Sequence, residues 1–240
     1  ALVYQPQLNQ QRQTVGAEAL LRWSVDGKAV PPDEFIPLAE ESGLIVPIGL
    51  WVFETACRQM AQWRAEGWQV PVVSVNVSAL EFRQPGFVER ITALLTRYGL
   101  PAQQLELELT ESVLLHDAQE MEQVLASLTR QGLRLSIDDF GTGHSALIYL
   151  EHFTMDYLKI DRGFVNAIGT ETVTSPVLDA VLTLARRLNM STVAEGVETP
   201  EQAAWLREHG VNFLQGYWIS RPMPLAQFRE WRPDISPGSD

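Results

Sequence analysis

Cysteine is almost missing from this sequence: Cys57 stands alone among 240 residues, so no internal disulfide can form. That scarcity sets the expectation of a reducing, cytoplasmic compartment. Histidine is nearly as rare, and His116, His144, His152 and His209 fall at spacings that match no zinc-binding pattern. Basic side chains are outnumbered, 18 Lys and Arg against 30 Asp and Glu for a net charge of −12. This excludes passive binding to DNA or RNA through a basic face. No apolar run approaches the ~18 residues that cross a bilayer. The start, Ala1-Leu2-Val3-Tyr4, lacks the basic and apolar segments of a signal peptide. With no initiator Met, the chain is expected to be a domain excised from a longer protein, which would carry any membrane anchor or sensor. Linkers rich in Pro, Gly or Ser are also missing up to the flexible tail 236–240, so residues 1–235 read as one domain.

What is present is the balance of an ordinary folded chain, 45% hydrophobic and 20% charged. Apolar runs at 3–8, 16–23, 72–77, 105–109, 133–137, 157–160, 192–194 and 212–214 read as strands. Amphipathic stretches at 33–41, 48–66, 87–98, 118–130, 175–188, 200–209 and 225–231 read as helices. In the second of these, Leu50, Phe53, Ala56, Cys57, Met60 and Trp63 recur at helical spacing, with Trp51 among them. Asp117 and Glu120 have the spacing of a capping box, and Gly99, Gly132 and Gly210 sit just past helix ends. Strands alternating with helices predict an α/β fold, a TIM-like (β/α)8 barrel. An open doubly wound sheet is the rival, but the G-x-G-x-x-G that would favour it is absent after the first strand. The connection 9–15 is too short for a helix, so the first two strands are expected to form an antiparallel hairpin.

Function enters where the strands run out, because in such a barrel the C-terminal strand ends face one site. Glu18 and Arg22 stand on the second strand, Asn76 on the third, Glu106, Glu108 and Glu111 on the fourth. Asp138 and Asp139 end the fifth, Lys159 and Asp161 the sixth, Glu195 and Glu198 the seventh, and Gln215 the eighth. One acid after a strand is ordinarily a helix cap; the same pattern at successive ends is not. Alternation puts Glu106 and Glu108 on one face, so spacing does not separate them. The neighbouring carboxylates Asp138 and Asp139 repel unless a cation lies between them. Oxygen donors such as Glu18, Asn76, Glu108 and Asp138 suit Mg²⁺ or Mn²⁺ over zinc. Two such ions, about 3.5–4 Å apart, are the arrangement that clamps a phosphoryl group. They also explain how an acidic chain tolerates an anionic substrate, with Arg22 and Lys159 adding positive charge.

These residues resemble the EAL domain family, bacterial phosphodiesterases of cyclic di-GMP. The triplet is Glu18-Ala19-Leu20, followed by Arg22. Tyr4-Gln5-Pro6, Phe35-Ile36-Pro37-Leu38-Ala39-Glu40, Asn76-Val77-Ser78 and Leu109-Thr110-Glu111-Ser112 resemble further family motifs. So do Asp138-Asp139-Phe140-Gly141-Thr142-Gly143, Lys159-Ile160-Asp161, Ala194-Glu195-Gly196-Val197-Glu198-Thr199 and Gln215-Gly216-Tyr217. The resemblance implies one metal on Glu18, Asn76, Glu108 and Asp138, and a second on Asp138, Asp139 and Glu195. It implies in-line attack of water on one phosphodiester, giving linear 5′-pGpG. Lys159 would hold that water or the developing charge, and Glu195 is either ligand or general base. Gln5, Arg22, Glu198 and Gln215 become substrate contacts, Glu111 the anchor of the loop after the fifth strand, and Asp161 a supporting group. Ca²⁺ is expected to inhibit. A homodimer, and sensory or GGDEF-type domains in the parent chain, are the partners the resemblance implies.

Two departures from the family pattern stand out. The loop after Asp139 carries His144 and Ala146 where Tyr and Ser are usual, and Gly163 replaces a Ser. A catalytically weak receptor for cyclic di-GMP is the alternative, although such proteins lose the triplet or an Asp of the pair. A two-carboxylate glycosidase fits the acidic rim but leaves Asn76, Lys159 and the adjacent aspartates unexplained. Asp139-Phe140-Gly141 echoes a kinase motif without the kinase's other segments. Of the tryptophans, Trp218 alone falls near the rim.

Overall fold

The computed structural model describes the chain except residues 69–70, 115–117, 141–152, 170–175 and 234–240, and except the side chains of 112, 114 and 118–120. The capping pair Asp117 and Glu120, the loop with His144 and Ala146, and the tail lie outside the described residues. Strands β1 (Leu2–Asn9) and β2 (Thr14–Leu21) form the expected antiparallel hairpin, with Gln5 opposite Glu18. Next come the three-residue strands β3 (Trp23–Val25) and β4 (Lys28–Val30), which pair only with each other. The run read as one strand over 16–23 therefore breaks at Arg22. Its cause is the turn Asp26-Gly27, both residues in the left-handed region at φ 50° and 77°, which folds the chain back as a tight hairpin.

Six parallel strands follow. They are β5 (Val73–Val77), β6 (Leu105–Thr110), β7 (Arg134–Phe140), β8 (Tyr157–Ile160), β9 (Ser191–Ala194) and β10 (Phe213–Leu214). They continue from β2 in chain order, and β10 pairs antiparallel with β1 through Leu8 and Leu214. That pairing closes an eight-stranded barrel with an antiparallel first strand, as the sequence predicts. A short β11 (Met223–Pro224) adds to the start of β1.

Alternation along the strands sorts residues between lumen and helices. Leu105, Leu107 and Leu109 of β6 are fully buried in the apolar core, whereas Glu106 and Glu108 between them face the lumen. Helix 45–65 packs on this wall with Phe53, Ala56, Cys57, Met60 and Trp63. Cys57 is core packing. Leu50 and Trp51 turn outward instead, 42% and 45% exposed, because the helix buries only the stripe that faces the barrel. Trp51 lines a surface groove with Trp23, Phe35, Leu38 and Leu44. On the far side Tyr4, Trp63, Trp68 and Phe228 pack ring against ring, tying helix 225–230 to β1. Gly99, Gly132 and Gly210 are left-handed as expected. Among the described residues no single helix is long and apolar enough to cross a membrane.

The ends of β9 and β10 are locked by close approach. Val197 N–H donates to the Gln215 carbonyl at 3.1 Å and Trp218 N–H to the Val197 carbonyl at 2.9 Å. Gly216 between them leaves no room for a Cβ, which would overlap the Val197 backbone. Gly216→Ala is expected to lower stability by about 2 kcal/mol in urea unfolding, since rigid backbone cannot yield as a side chain can.

Candidate active site

Lys159 sits at the centre of the lumen. Its neighbours Leu158 and Ile160 are buried in the core, so the strand's alternation turns the lysine inward, 1% exposed. Its Nζ lies 2.8 Å from Glu108 Oε1 and 2.5 Å from Glu195 Oε1. Asp138 Oδ1 at 3.7 Å and Glu18 Oε2 at 3.8 Å complete the ring. Four carboxylates from β2, β6, β7 and the loop after β9 thus meet one ammonium. Asn76 joins them: its Nδ2 donates to Glu18 Oε1 at 2.8 Å, while β5 and β6 set it level with Glu108. Glu18, Asn76, Glu108, Asp138, Lys159 and Glu195, scattered along the sequence, thus come together in space.

One ammonium cannot neutralise four carboxylates, and their protonation reflects it. Burial disfavours the charge on Lys159, but Asp138, Glu108, Glu18 and Glu195 outweigh it and raise its pKa well above the ordinary lysine value. Burial pushes Glu18 up too, yet Lys159 and the amides of Gln215 and Asn76 hold it below the usual carboxylate value. Glu108 goes the other way. Burial and the Glu18 charge lift it well above that value, against the pull of Lys159. Burial lifts Glu195 to about 8, against the pull of Lys159. Glu106, which spacing alone did not distinguish from Glu108, lies outside the ring against Ser136, and burial raises it to about 7.

Strand β7 breaks register between Ile137 and Phe140, at the adjacent aspartates. Asp139 takes φ 56°, a left-handed conformation that costs a non-glycine residue about 1–2 kcal/mol. Its N–H donates to Asp138 Oδ1 at 2.9 Å, and partial desolvation with the charges of Asp138 and Asp161 raises its carboxyl pKa. Asp161 caps helix 162–166, accepting from Gly163 N–H at 2.8 Å.

Gln215 is buried and donates to Glu18 Oε2 at 2.5 Å and to Gln5 Oε1 at 3.2 Å. Gln5 Nε2 donates to the Ser220 carbonyl, so Gln5 belongs to the barrel wall rather than to an open face. Arg22, at the end of β2, is half-buried and donates to the Leu21 carbonyl at 2.8 Å. Glu198 is exposed on the loop after β9. Glu111 is buried at the start of helix 111–114; the loop it is expected to anchor falls in 141–152. Trp218 lies against the guanidinium groups of Arg207 and Arg12. Sequence reasoning missed two features. Tyr217 is 51% exposed beneath the Arg221 guanidinium, 4.2 Å from its ring centre. Gln7 is buried against Gln215, and a glutamine inside an apolar-looking strand gives no signal until the barrel closes.

Oxygen donors and uncancelled negative charge fit hard divalent cations. As they stand, no three acidic, histidine or cysteine side chains among the described residues are set to ligate a metal. Lys159 occupies the point that the carboxylates share, so the fit lies in donor chemistry and charge.

The sequence and fold have close counterparts. Over 238 residues the chain is 55% identical to a protein of Escherichia coli named as probable cyclic di-GMP phosphodiesterase PdeN, covering 96% of this chain and 45% of that one. The chain thus spans under half the length of that relative. A solved structure named PaMucR phosphodiesterase in a c-di-GMP complex superposes with TM-score 0.90 at 43% identity, covering 95% of this chain and 93% of that one. The EAL domain of Mycobacterium smegmatis DcpA gives TM-score 0.83 at 36% identity, with 96% of both chains covered. Residues 1–222 match the family as a whole, and the chain belongs to the EAL domain family.

Proposed function

We propose that this chain hydrolyses cyclic di-GMP to linear 5′-pGpG and that divalent metal ions are required. The observation that carries the reading is the buried ring of Glu18, Glu108, Asp138 and Glu195 around Lys159. A ring of carboxylates with one lysine is a poor receptacle for a phosphodiester until cations offset it. Glu18, Asn76, Glu108 and Asp138 would hold one ion, and Asp138, Asp139 and Glu195 a second. When bound, Mg²⁺ or Mn²⁺ supplies activation of water and stabilisation of charge on phosphorus.

The chain's own groups do the rest. Burial raises the pKa of Glu108 and Glu195, and positive charge brought beside them would favour their ionised, ligating forms. Lys159 stays protonated throughout and directs its N–H groups at the attacking oxygen or the developing phosphate charge. Glu195, whose side chain keeps 22% accessibility, is the carboxylate of the ring most open to the rim and is placed to receive a proton. Asp139 holds a left-handed turn in which its own N–H donates to Asp138 Oδ1, fixing that carboxylate. Half-buried Arg22 and exposed Glu198 flank the entrance as substrate contacts. Gln215 and Gln5, by contrast, shape the site from within its wall. A homodimer, and a cytoplasmic parent protein that adds sensory or diguanylate cyclase domains, complete the reading.

Incubation with cyclic di-GMP and Mg²⁺, followed by product identification, is expected to give 5′-pGpG. Binding without turnover would make the domain a receptor instead. EDTA-treated protein is expected to be inactive and to recover with Mg²⁺ or Mn²⁺. Ca²⁺ should support binding with little turnover, because its larger and more flexible coordination misplaces the reacting oxygen. Lys159→Ala is expected to lower kcat about a hundredfold or more with little change in KM, as measured by steady-state kinetics. A rise in KM alone would remove the role assigned to the ammonium.

A further inference from the structure

We propose that Gln7, which donates to Gln215 and makes no described hydrogen bond to a proposed metal ligand, is a positioning residue that fixes Glu18 by way of Gln215. The inference rests on the metal reading above. A charged carboxylate only accepts hydrogen bonds, so Glu18 dictates the orientation of every amide behind it. Gln215 must turn its nitrogen to Glu18 Oε2, and the same nitrogen also serves Gln5 Oε1. Gln5 is then obliged to donate away from the site, to the Ser220 carbonyl at 2.9 Å. The oxygen of Gln215 is left on the opposite side, and there Gln7 Nε2 donates to it at 2.9 Å.

The result is a directed series, Gln7 to Gln215 to Glu18, in which all three residues are buried, at 6%, 3% and 5% exposure. Strand geometry accounts for the placement. Gln7 lies two residues from Gln5 on the lumen face of β1 and opposite Gly16 of β2. A Cβ on Gly16 would come within 2.8 Å of Gln7 Oε1, so the missing side chain is the recess that takes the glutamine's oxygen. Without the Gln7 donor, Gln215 Oε1 is buried unpaired, and the amide loses the bond that fixes its orientation from behind. A flipped amide turns oxygen toward Glu18, repels it, and frees the carboxylate to rotate away from the position that Asn76 and Gln215 jointly define.

The test uses the whole chain and Mn²⁺ alone. Gln7→Met keeps the length of the side chain and removes the donor. Metal-free protein is titrated with Mn²⁺, and free ion is followed by electron paramagnetic resonance. Gln7→Met is expected to bind about tenfold more weakly than wild type, as outer partners of ligands do, with a thermal midpoint close to wild type. The double variant Gln7→Met/Gln215→Met should bind no more weakly than Gln215→Met, since one residue acts through the other. Affinity of Gln7→Met within about twofold of wild type, or full additivity in the double variant, overturns the inference. Should Gln7→Met fail to fold, Gln7→Leu takes its place in the same cycle. If wild type binds no Mn²⁺, the metal reading falls, and the Gln215 side-chain amide signals in NMR spectra of metal-free protein decide alone. They are expected to shift in Gln7→Met, and unchanged signals overturn the relay.

Discussion

The ammonium of Lys159, sealed inside the barrel among four carboxylates, is the constraint around which the rest is arranged. An isolated charge there would be costly enough to lose its proton. Its partners keep it charged, and it keeps Glu18 charged in return. The balance is incomplete, because burial lifts Glu108 and Glu195 above the usual carboxylate range even beside the ammonium. Removing any member changes the protonation of the others, so these groups act as one unit.

Housing such a unit requires an unusual interior. Barrels of this type ordinarily fill the lumen with branched apolar side chains. Here Ser74, Glu106, Glu108, Ser136, Lys159 and Gln215 take the inward positions, while Leu, Val and Ile on the same strands pack outward under the helices. Stability is therefore concentrated in the sheet-to-helix layer, and the lumen is free to be polar. The aromatic cluster of Tyr4, Trp63, Trp68 and Phe228 extends that layer around the antiparallel first strand, so Gln5 and Gln7 face inward from a well-packed wall.

Much of this was legible because strands betray their faces. Period-two alternation in Leu105-Glu106-Leu107-Glu108-Leu109 marks which residues enter the lumen, and short connections mark the hairpin at the start. The residues expected to ligate metal were recognisable as oxygen donors at strand ends. Spacing along the chain carries no information on distance across the lumen. For that reason spacing does not tell Glu106 from Glu108, nor does it reveal the hydrogen bonds that join the Gln5 amide to Gln215 and Ser220. The break at Arg22 was missed although Asp26-Gly27 is a hairpin signal, because the apolar run through Trp23 obscured it. Leu50 and Trp51 show the limit of helical periodicity, which places residues near a stripe without fixing its width.

The pairing of β1 with β10 has a temporal consequence. Gln7 and Gln215 are 208 positions apart, and Gln5 and Gln215 are 210, yet they share one hydrogen-bonded group with Glu18. Contacts of such separation carry the greatest loop-closure entropy and are intrinsically slow to form. A ribosome-bound chain that has displayed the opening hairpin still lacks the strand that clamps it. Competence is thus withheld until the segment around Gln215 has emerged, and a chain cut before it keeps its triplet but lacks the amide bonded to Glu18.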